Sequence, residues 1–372
     1  MNLRRVKALV KKEISQIYKD PSSLMTAVVF PLILLFLYGF GVSLDMDNIR
    51  LGVVSEDSGP LARGFVRSLM TTRYLKTNVV KDRKEAEKLL TSGRFDGVVV
   101  IPSYFSQYIN NRNQTAPIQV IAEGSEPNTA QFVQNYVRGV WLTWQQNQAL
   151  ENGIGRKALI NVVPRIWYNE ELRSNYFLIP GSIVIIITVT GAFLTSLVIA
   201  REWERGTMEA LMSTPVSMSE IVLSKLATYF MLGIASMALC FFVAHYLYGI
   251  PFRGSYFGLV LTSVSYLLFA LGMGLFISIS VRDQFAASQI AIVSTYLPAF
   301  ILSGFIFDIA SMPLYLRVLT HFVPAKYFVD SLKTQFLVGD IWSILLPNIL
   351  IMNVFTLFIF FLMKQKNHKR LD

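Results

Sequence analysis

Residues able to do chemistry are few in this chain, and none is grouped as catalysis requires. Cys240 is the only cysteine, so neither an intrachain disulfide nor a cysteine-rich zinc site can form. It lies in a stretch without charge and reads as a small apolar packing group. His245 falls in the same stretch, where a neutral imidazole calls for a hydrogen-bond partner; a structural bond is the expectation, rather than a proton relay. Segment 45–176 has no His and no Cys, and its acid pairs, Glu56-Asp57 and Glu170-Glu171, are sequence neighbours that read as solvated turns, not dyads. No G-x-x-x-x-G-K-[ST] pattern occurs anywhere, so the chain carries no P-loop for nucleotide phosphates.

The informative residues are instead ones that fit a docking contact. Arg201–Lys225 reads REWERGTMEALMSTPVSMSEIVLSK. Gly206 breaks the preceding pattern, Thr207 is the expected N-cap, and Glu209 falls in the first turn, where the helix dipole favours an acid. Met208, Leu211 and Met212 form an apolar patch on a helix of barely two turns, which Thr214-Pro215 stops. Ser217-Met218-Ser219-Glu220 is a capping box that starts the next helix. Such a short, capped, apolar-faced helix suits either a partner protein or an interfacial turn whose Met and Leu touch lipid.

The elements that hold this segment are membrane spans. Hydrophobic residues make up 53% of the 372 and charged residues only 16%, with mean hydropathy +0.46. Six stretches lack Asp, Glu, Lys and Arg altogether: 24–44, 177–200, 226–252, 254–281, 284–307 and 341–363. Each exceeds the roughly 20 residues that a helix needs to cross a bilayer. This excludes a soluble enzyme, a secreted disulfide scaffold and an ordinary nucleic-acid-binding domain; no nucleic-acid partner is expected despite the net charge of +10. With both termini cytoplasmic, fourteen Lys and Arg of the short segments lie inside and four outside, as the positive-inside rule requires.

Three further segments flank these spans. In 1–23, Leu3, Val6, Val10, Ile14 and Ile17 recur at helical spacing among lysines and arginines, the pattern of a basic amphipathic helix on the inner leaflet. Asp20-Pro21 ends it. Segment 45–176 alternates strands (51–54, 77–80, 97–101, 118–122) with helices (61–70, 82–91, a short one through Asn110, and a long one from near Asn128), implying a small α/β domain outside the cytoplasm. Segment 308–340 is too apolar for a free loop and is divided by Pro313 and Pro324 into two short helices that dip into the membrane without crossing it. Asp308, Arg317, Lys326, Asp330, Lys333 and Asp340 are expected to stay near water. Pro31, Pro180 and Pro298 lie inside spans and predict kinks, and Gly272, Gly274 and Gly304 predict close helix packing.

The fold class is thus an α-helical polytopic membrane protein of six transmembrane helices with an inserted extracytoplasmic α/β domain. The stretch from Glu202 to Pro215, E-x-E-R-G-T-x-E-x-L-x-x-T-P, resembles the permeases of type-2 ABC exporters. So do Asp20-Pro21-Ser22-Ser23, Gly97–Pro102, Gly124–Thr129 and Leu302–Phe307. The subgroup most similar is the bacterial multidrug-efflux permeases with a large external domain. The resemblance implies 24–44 as the first span and 177–372 as a five-helix membrane domain. It implies a coupling loop at 201–225, in which Glu202, Glu204, Arg205, Gly206, Thr207, Glu209, Leu211, Met212 and Pro215 meet a separate ATPase dimer that binds the ATP and Mg; this chain binds no cofactor or metal and is not itself an enzyme. It also implies a second permease or a copy of this one, a periplasmic adaptor, an inner-membrane location, and outward movement of drugs; a lipid-like cargo is the alternative, and a secondary transporter a more distant one. The re-entrant segment would form an exit gate with Leu319, Phe322, Tyr327 and Phe328, to which Phe305 and Phe307 contribute from span five; an interfacial cap that merely seals the bundle is the alternative.

Overall fold

The computed structural model describes residues 2–41, 48–110, 118–124, 127–151, 168–169 and 173–366. The Glu170-Glu171 pair, Ser125-Glu126 and the basic residues Lys369 and Arg370 fall outside them. The chain divides into two compact units, Met1–Ser43 with Ile166–Asp372, and Leu44–Arg165.

Helix α1 (Leu3–Tyr18) is capped by the Asn2 side chain, which accepts from the Arg4 amide. It ends where Asp20 caps the first span, α2 (Pro21–Gly41). Here the Pro31 kink takes a definite form. Met25–Val29 is a π turn, closed by the Phe30 amide on the Met25 carbonyl, and the proline follows directly. A proline ring collides with the carbonyl four residues back, and widening the preceding turn moves that carbonyl aside.

In the second unit, β1 (Ile49–Ser55), α3 (Pro60–Thr71), β2 (Leu75–Val80), α4 (Arg83–Thr91), β3 (Gly97–Ile101), α5 (Phe105–Asn110), β4 (Gln119–Ala122) and α6 (Pro127–Glu151) follow in order. The sheet runs β2-β1-β3-β4, with β1 parallel to both neighbours and β4 antiparallel. Both faces are covered, and so the strands are apolar on both sides. Val99 and Ile101 join Phe65, Phe105 and Trp144 beneath α3 and α6. Val98 and Val100 join Ala86, Leu90 and Phe95 beneath α4. The fold-class expectation of a small α/β unit thus rests, among the described residues, on four strands, of which β4 is antiparallel.

The remaining chain is helical: α7 (Asn175–Glu204), α8 (Thr207–Met212), α9 (Met218–Leu247), α10 (Tyr256–Ser280), α11 (Gln284–Leu302), α12 (Leu314–Thr320), α13 (Pro324–Leu337) and α14 (Trp342–Lys366). With α2, the helices α7, α9, α10, α11 and α14 are, among the described residues, the six long and apolar enough to cross a membrane. Helix α7 is apolar all round and is buried on nearly every side from Leu178 to Ala200, as a helix at the centre of a bundle must be. Its closest neighbour is α10. A Cβ on Gly274 would strike the Thr195 side chain and the Ala192 carbonyl, and Thr195 Oγ1 donates to the Leu271 carbonyl across the seam at 3.0 Å. Gly272 meets only ordinary contacts. In α11, Ile292–Tyr296 is a π turn immediately before Leu297-Pro298, the arrangement seen at Pro31. His245 Nδ1 is 2.9 Å from the Ile250 carbonyl and the ring stacks on Phe241, a structural hydrogen bond.

Candidate functional site

The segment that links α7 to α9 is rooted in a buried ion cluster. Lys225 Nζ donates to Glu13 Oε1 at 2.9 Å and to Glu202 Oε1 at 3.3 Å, with all three side chains no more than 5% exposed. Lys12 reaches the same Glu202 oxygen at 3.2 Å and Glu13 at 3.7 Å from a half-exposed position. Two lysines and two glutamates make a neutral set. That balance is needed, because a buried charge without a partner costs several kcal/mol. The members come from α1, the last turn of α7 and the first turns of α9, so the cluster ties three elements together. Asn2 N donates to Glu220 Oε1 at 2.6 Å and Arg5 Nη1 donates to the Pro215 carbonyl. The N-terminal end of α1 therefore touches the loop at Pro215 and Glu220.

Asp20 makes the neighbouring link. Its carboxylate accepts from Arg201 Nη1 at 2.6 Å and from the hydroxyls of Ser22 and Ser23, each at 2.7 Å. Burial pushes this carboxyl up, but the two serines and the Arg201 guanidinium together outweigh it and hold the group well below the usual range.

Within the loop, several expectations change. The N-cap of α8 is Gly206, at φ 68°, and not Thr207. The Thr207 hydroxyl donates instead to the Glu202 carboxylate, and the left-handed turn needs the glycine. Met208 is fully buried among Ile17, Leu194, Val198 and Ile221, so it anchors α8 instead of facing outward; Leu211 and Met212 are half-buried against the same cluster. Glu202 is part of the buried cluster. Glu204 accepts from the Gln284 backbone amide at 2.7 Å. Arg205, Gly206, Thr207, Glu209 and Pro215 are exposed. The capping box at Ser217 and Glu220 is present, with its two bonds at 3.3 and 3.0 Å.

The other predicted site lies at the opposite end of α7. Gly181 and Glu202 are twenty-one residues apart on that helix, about 30 Å. Here Ile309–Ser311 forms one 3-10 turn before α12 and α13, and α13, at 14 residues, is longer than expected. The six residues singled out divide. Phe305 is buried against Gly181 and meets Tyr38 edge-on at 5.5 Å. Phe328 is buried and stacks on Tyr266 at 4.4 Å. Tyr327 is half-buried, its hydroxyl donating to the His321 carbonyl at 3.0 Å. Phe307, Leu319 and Phe322 are exposed.

Lys333, expected near water, is turned inward. Its Nζ donates to the Gly304 carbonyl at 2.7 Å and lies 3.3 Å from the Phe177 ring centroid. Burial pushes this amine down to about 7, with Asp330 and Asp308 opposing the shift.

The buried cluster was the main feature missed. Val6, Val10 and Ile17 mark the inward face of α1, and Glu13 sits on that same face. An acid in an apolar stripe is the signal that a buried cation must meet it.

Residues 21–363 match the family model described as ABC-2 family transporter protein. The chain is 45% identical over its whole length, and over 99% of the relative, to the "Probable multidrug ABC transporter permease YbhS" of Escherichia coli K12. It is 29% identical over 93% of its length, and 95% of the relative, to the "Probable multidrug ABC transporter permease YbhR" of the same organism. It is 23% identical over 89% of its length, and 90% of the relative, to the "Linearmycin resistance permease protein LnrN" of Bacillus subtilis.

Proposed function

The chain belongs to the ABC-2 transporter family, and we propose that it is the non-catalytic permease subunit of an ATP-driven exporter moving hydrophobic or amphiphilic compounds, drugs foremost, out of the cell. The observation that carries this reading is α8. Its outer surface, with Glu209 and the half-buried Leu211 and Met212, remains uncovered in the chain alone. Met208, the Thr207–Glu202 bond and the Lys225 cluster fix its base. A rigidly mounted, partly apolar helix transmits a push, and a separate ATPase dimer, holding ATP and Mg, is the partner it suits. The printed names of the relatives, two multidrug permeases and a linearmycin resistance permease, support the cargo class.

In this reading the spans lie in a bacterial inner membrane with both termini cytoplasmic, and the sheet-bearing unit stands outside, available to a periplasmic adaptor. Phe307, Leu319 and Phe322 face a second permease, homologous or identical, across the exit path. Phe305, Tyr327 and Phe328 hold the segment that carries them.

The test is the pair Leu211→Asp and Glu209→Lys. Leu211→Asp places a charge in the contact, and an unpaired charge there costs several kcal/mol. ATPase co-purification and export should both fall sharply while membrane insertion stays normal. Glu209→Lys, at an exposed position, should act in the same direction but less strongly. If both variants co-purify with the ATPase as well as wild type does, α8 is not the coupling contact.

A further inference from the structure

Between α1 and the foot of α7 lies a cavity of about 460 Å³, of whose lining residues only Arg205 belongs to the expected ATPase contact. Four cations border it: Lys12, Lys19, Arg201 and Arg205; Asp20 is the single acid. Ser15 and Gln16 complete the wall with uncharged donors. The acid is already consumed by Arg201, Ser22 and Ser23, and Lys12 is shared with Glu13 and Glu202. Lys19 and Arg205 enter no ion pair among the described residues, and both are exposed. Two uncommitted cations, backed by a fixed guanidinium and a lysine, leave the cavity with an unanswered positive potential.

Its level in the bundle identifies what answers it. The lining residues lie within the nine positions before the first residue of α2, or in the last turn and C-cap of α7, where spans pass into headgroups. Tyr18, next to Lys19 in the sequence, is 82% exposed, and aromatic residues of this kind sit at membrane interfaces. Beyond Asp20, α2 exposes the apolar side chains of Met25, Val28 and Val29, within about three helical turns of the cavity's acid. The volume falls within the range of about 300–1,000 Å³ typical of small-ligand sites. We infer that the cavity between α1 and α7 is a binding site for the phosphodiester headgroup of an anionic phospholipid, whose acyl chains run along α2.

The inference requires only that α2 and α7 cross a membrane, and its test does not involve an ATPase or transport. Purified full-length protein in neutral detergent is exposed to phosphatidylglycerol, to phosphatidylcholine or to inorganic phosphate, and bound lipid is read by native mass spectrometry alongside the melting temperature. Phosphatidylglycerol should be retained and should raise the melting temperature, and the other two should do neither. Lys19→Gln with Arg205→Gln should weaken retention about 25-fold, since each basic residue near an anionic lipid contributes a factor of about five. Lys7→Gln with Lys11→Gln removes the same charge from exposed positions of α1 outside the cavity, and should leave retention within about twofold of wild type. The lipid-free melting temperature of each double variant shows whether it is folded. Equal losses from the two double variants would mean diffuse attraction and overturn the site. A shift reproduced by inorganic phosphate alone would assign the cavity to a free anion and overturn the lipid. Unchanged retention in Lys19→Gln with Arg205→Gln would overturn both.

Discussion

Replacing Lys225 by methionine should release α1 from the bundle. The substitution keeps the length of the side chain and removes only the charge. It leaves the Glu13 and Glu202 carboxylates, each 5% exposed, with a single cation, Lys12, which is 44% exposed and stands 3.7 and 3.2 Å away. Breaking a buried pair in this way costs about 3–5 kcal/mol, and the surviving Lys12 places the expectation at the lower end, about 3 kcal/mol. At about 1.4 kcal/mol per decade, that raises the population of released α1 by roughly two orders of magnitude. Ile17, on the inward face of α1 and only 9% exposed, is the reporter. With Cys240→Ala as background, an Ile17→Cys thiol should react with maleimide roughly a hundred times faster when Lys225 is methionine. Adding Glu13→Gln should recover most of the protection, because Glu202 and Lys12 then form a neutral pair. That recovery is a non-additive coupling of the kind expected of contacting residues. A labelling rate within threefold of the parent would refute the claim that the cluster holds α1 in place.

Gly274→Ala should destabilise the bundle by about 1–3 kcal/mol, since the new methyl meets the Ala192 carbonyl, whereas Gly272→Ala, with no contact under 3.6 Å, should melt like wild type in the same detergent. Lys333 titrates near 7 in the folded protein against 10.5 ordinarily, so between those values the unfolded chain holds a proton that the folded one lacks. Stability should therefore rise with pH from about 7 to about 10, and Lys333→Met should flatten that rise in melting temperature; an unchanged slope would show that another group causes it. For the topology, with Cys240→Ala, a cysteine at exposed Ser92 should react with an impermeant reagent on intact cells, and one at exposed Ser213 only after the membrane is opened; equal labelling of both from outside would contradict it.

Span positions were legible because hydrocarbon admits only uncharged stretches, and six of them stand out without any tertiary information. Strand β3 was legible for a similar reason: Gly97–Ile101 is apolar at every position and ends at a proline. Local capping chemistry located α8 and the start of α9 to within a residue, since the Ser217–Glu220 box depends on four consecutive residues. What escaped notice depends on partners far away in the chain. Lys225 and Glu13 are separated by 212 residues, and no local pattern reports that a lysine at the edge of a span folds inward. Lys333 was placed near water for the same reason, its partners Gly304 and Phe177 belonging to other elements. The Thr207 cap failed at shorter range: the Glu202 carboxylate, five residues earlier, competed for the hydroxyl. Phe305 and Phe328 look like Phe307 and Phe322 in sequence, and only the packing of Gly181 and Tyr266 against them separates buried from exposed.

The π turns in α2 and α11 have a consequence for how these two helices tolerate length changes. A π turn carries one more residue than the α turn it replaces, so it is equivalent to a single insertion already absorbed by the helix. Deleting one residue from Met25–Val29 or Ile292–Tyr296 would therefore leave the remainder of each helix in its present rotational phase. The same deletion in α10, which has no such reserve, would turn every later side chain by about 100° and carry Gly274 away from Thr195. Shortened variants of spans one and five should accordingly insert and assemble, where a shortened α10 should not. Natural length variation among related chains has a ready place to accumulate at these two prolines.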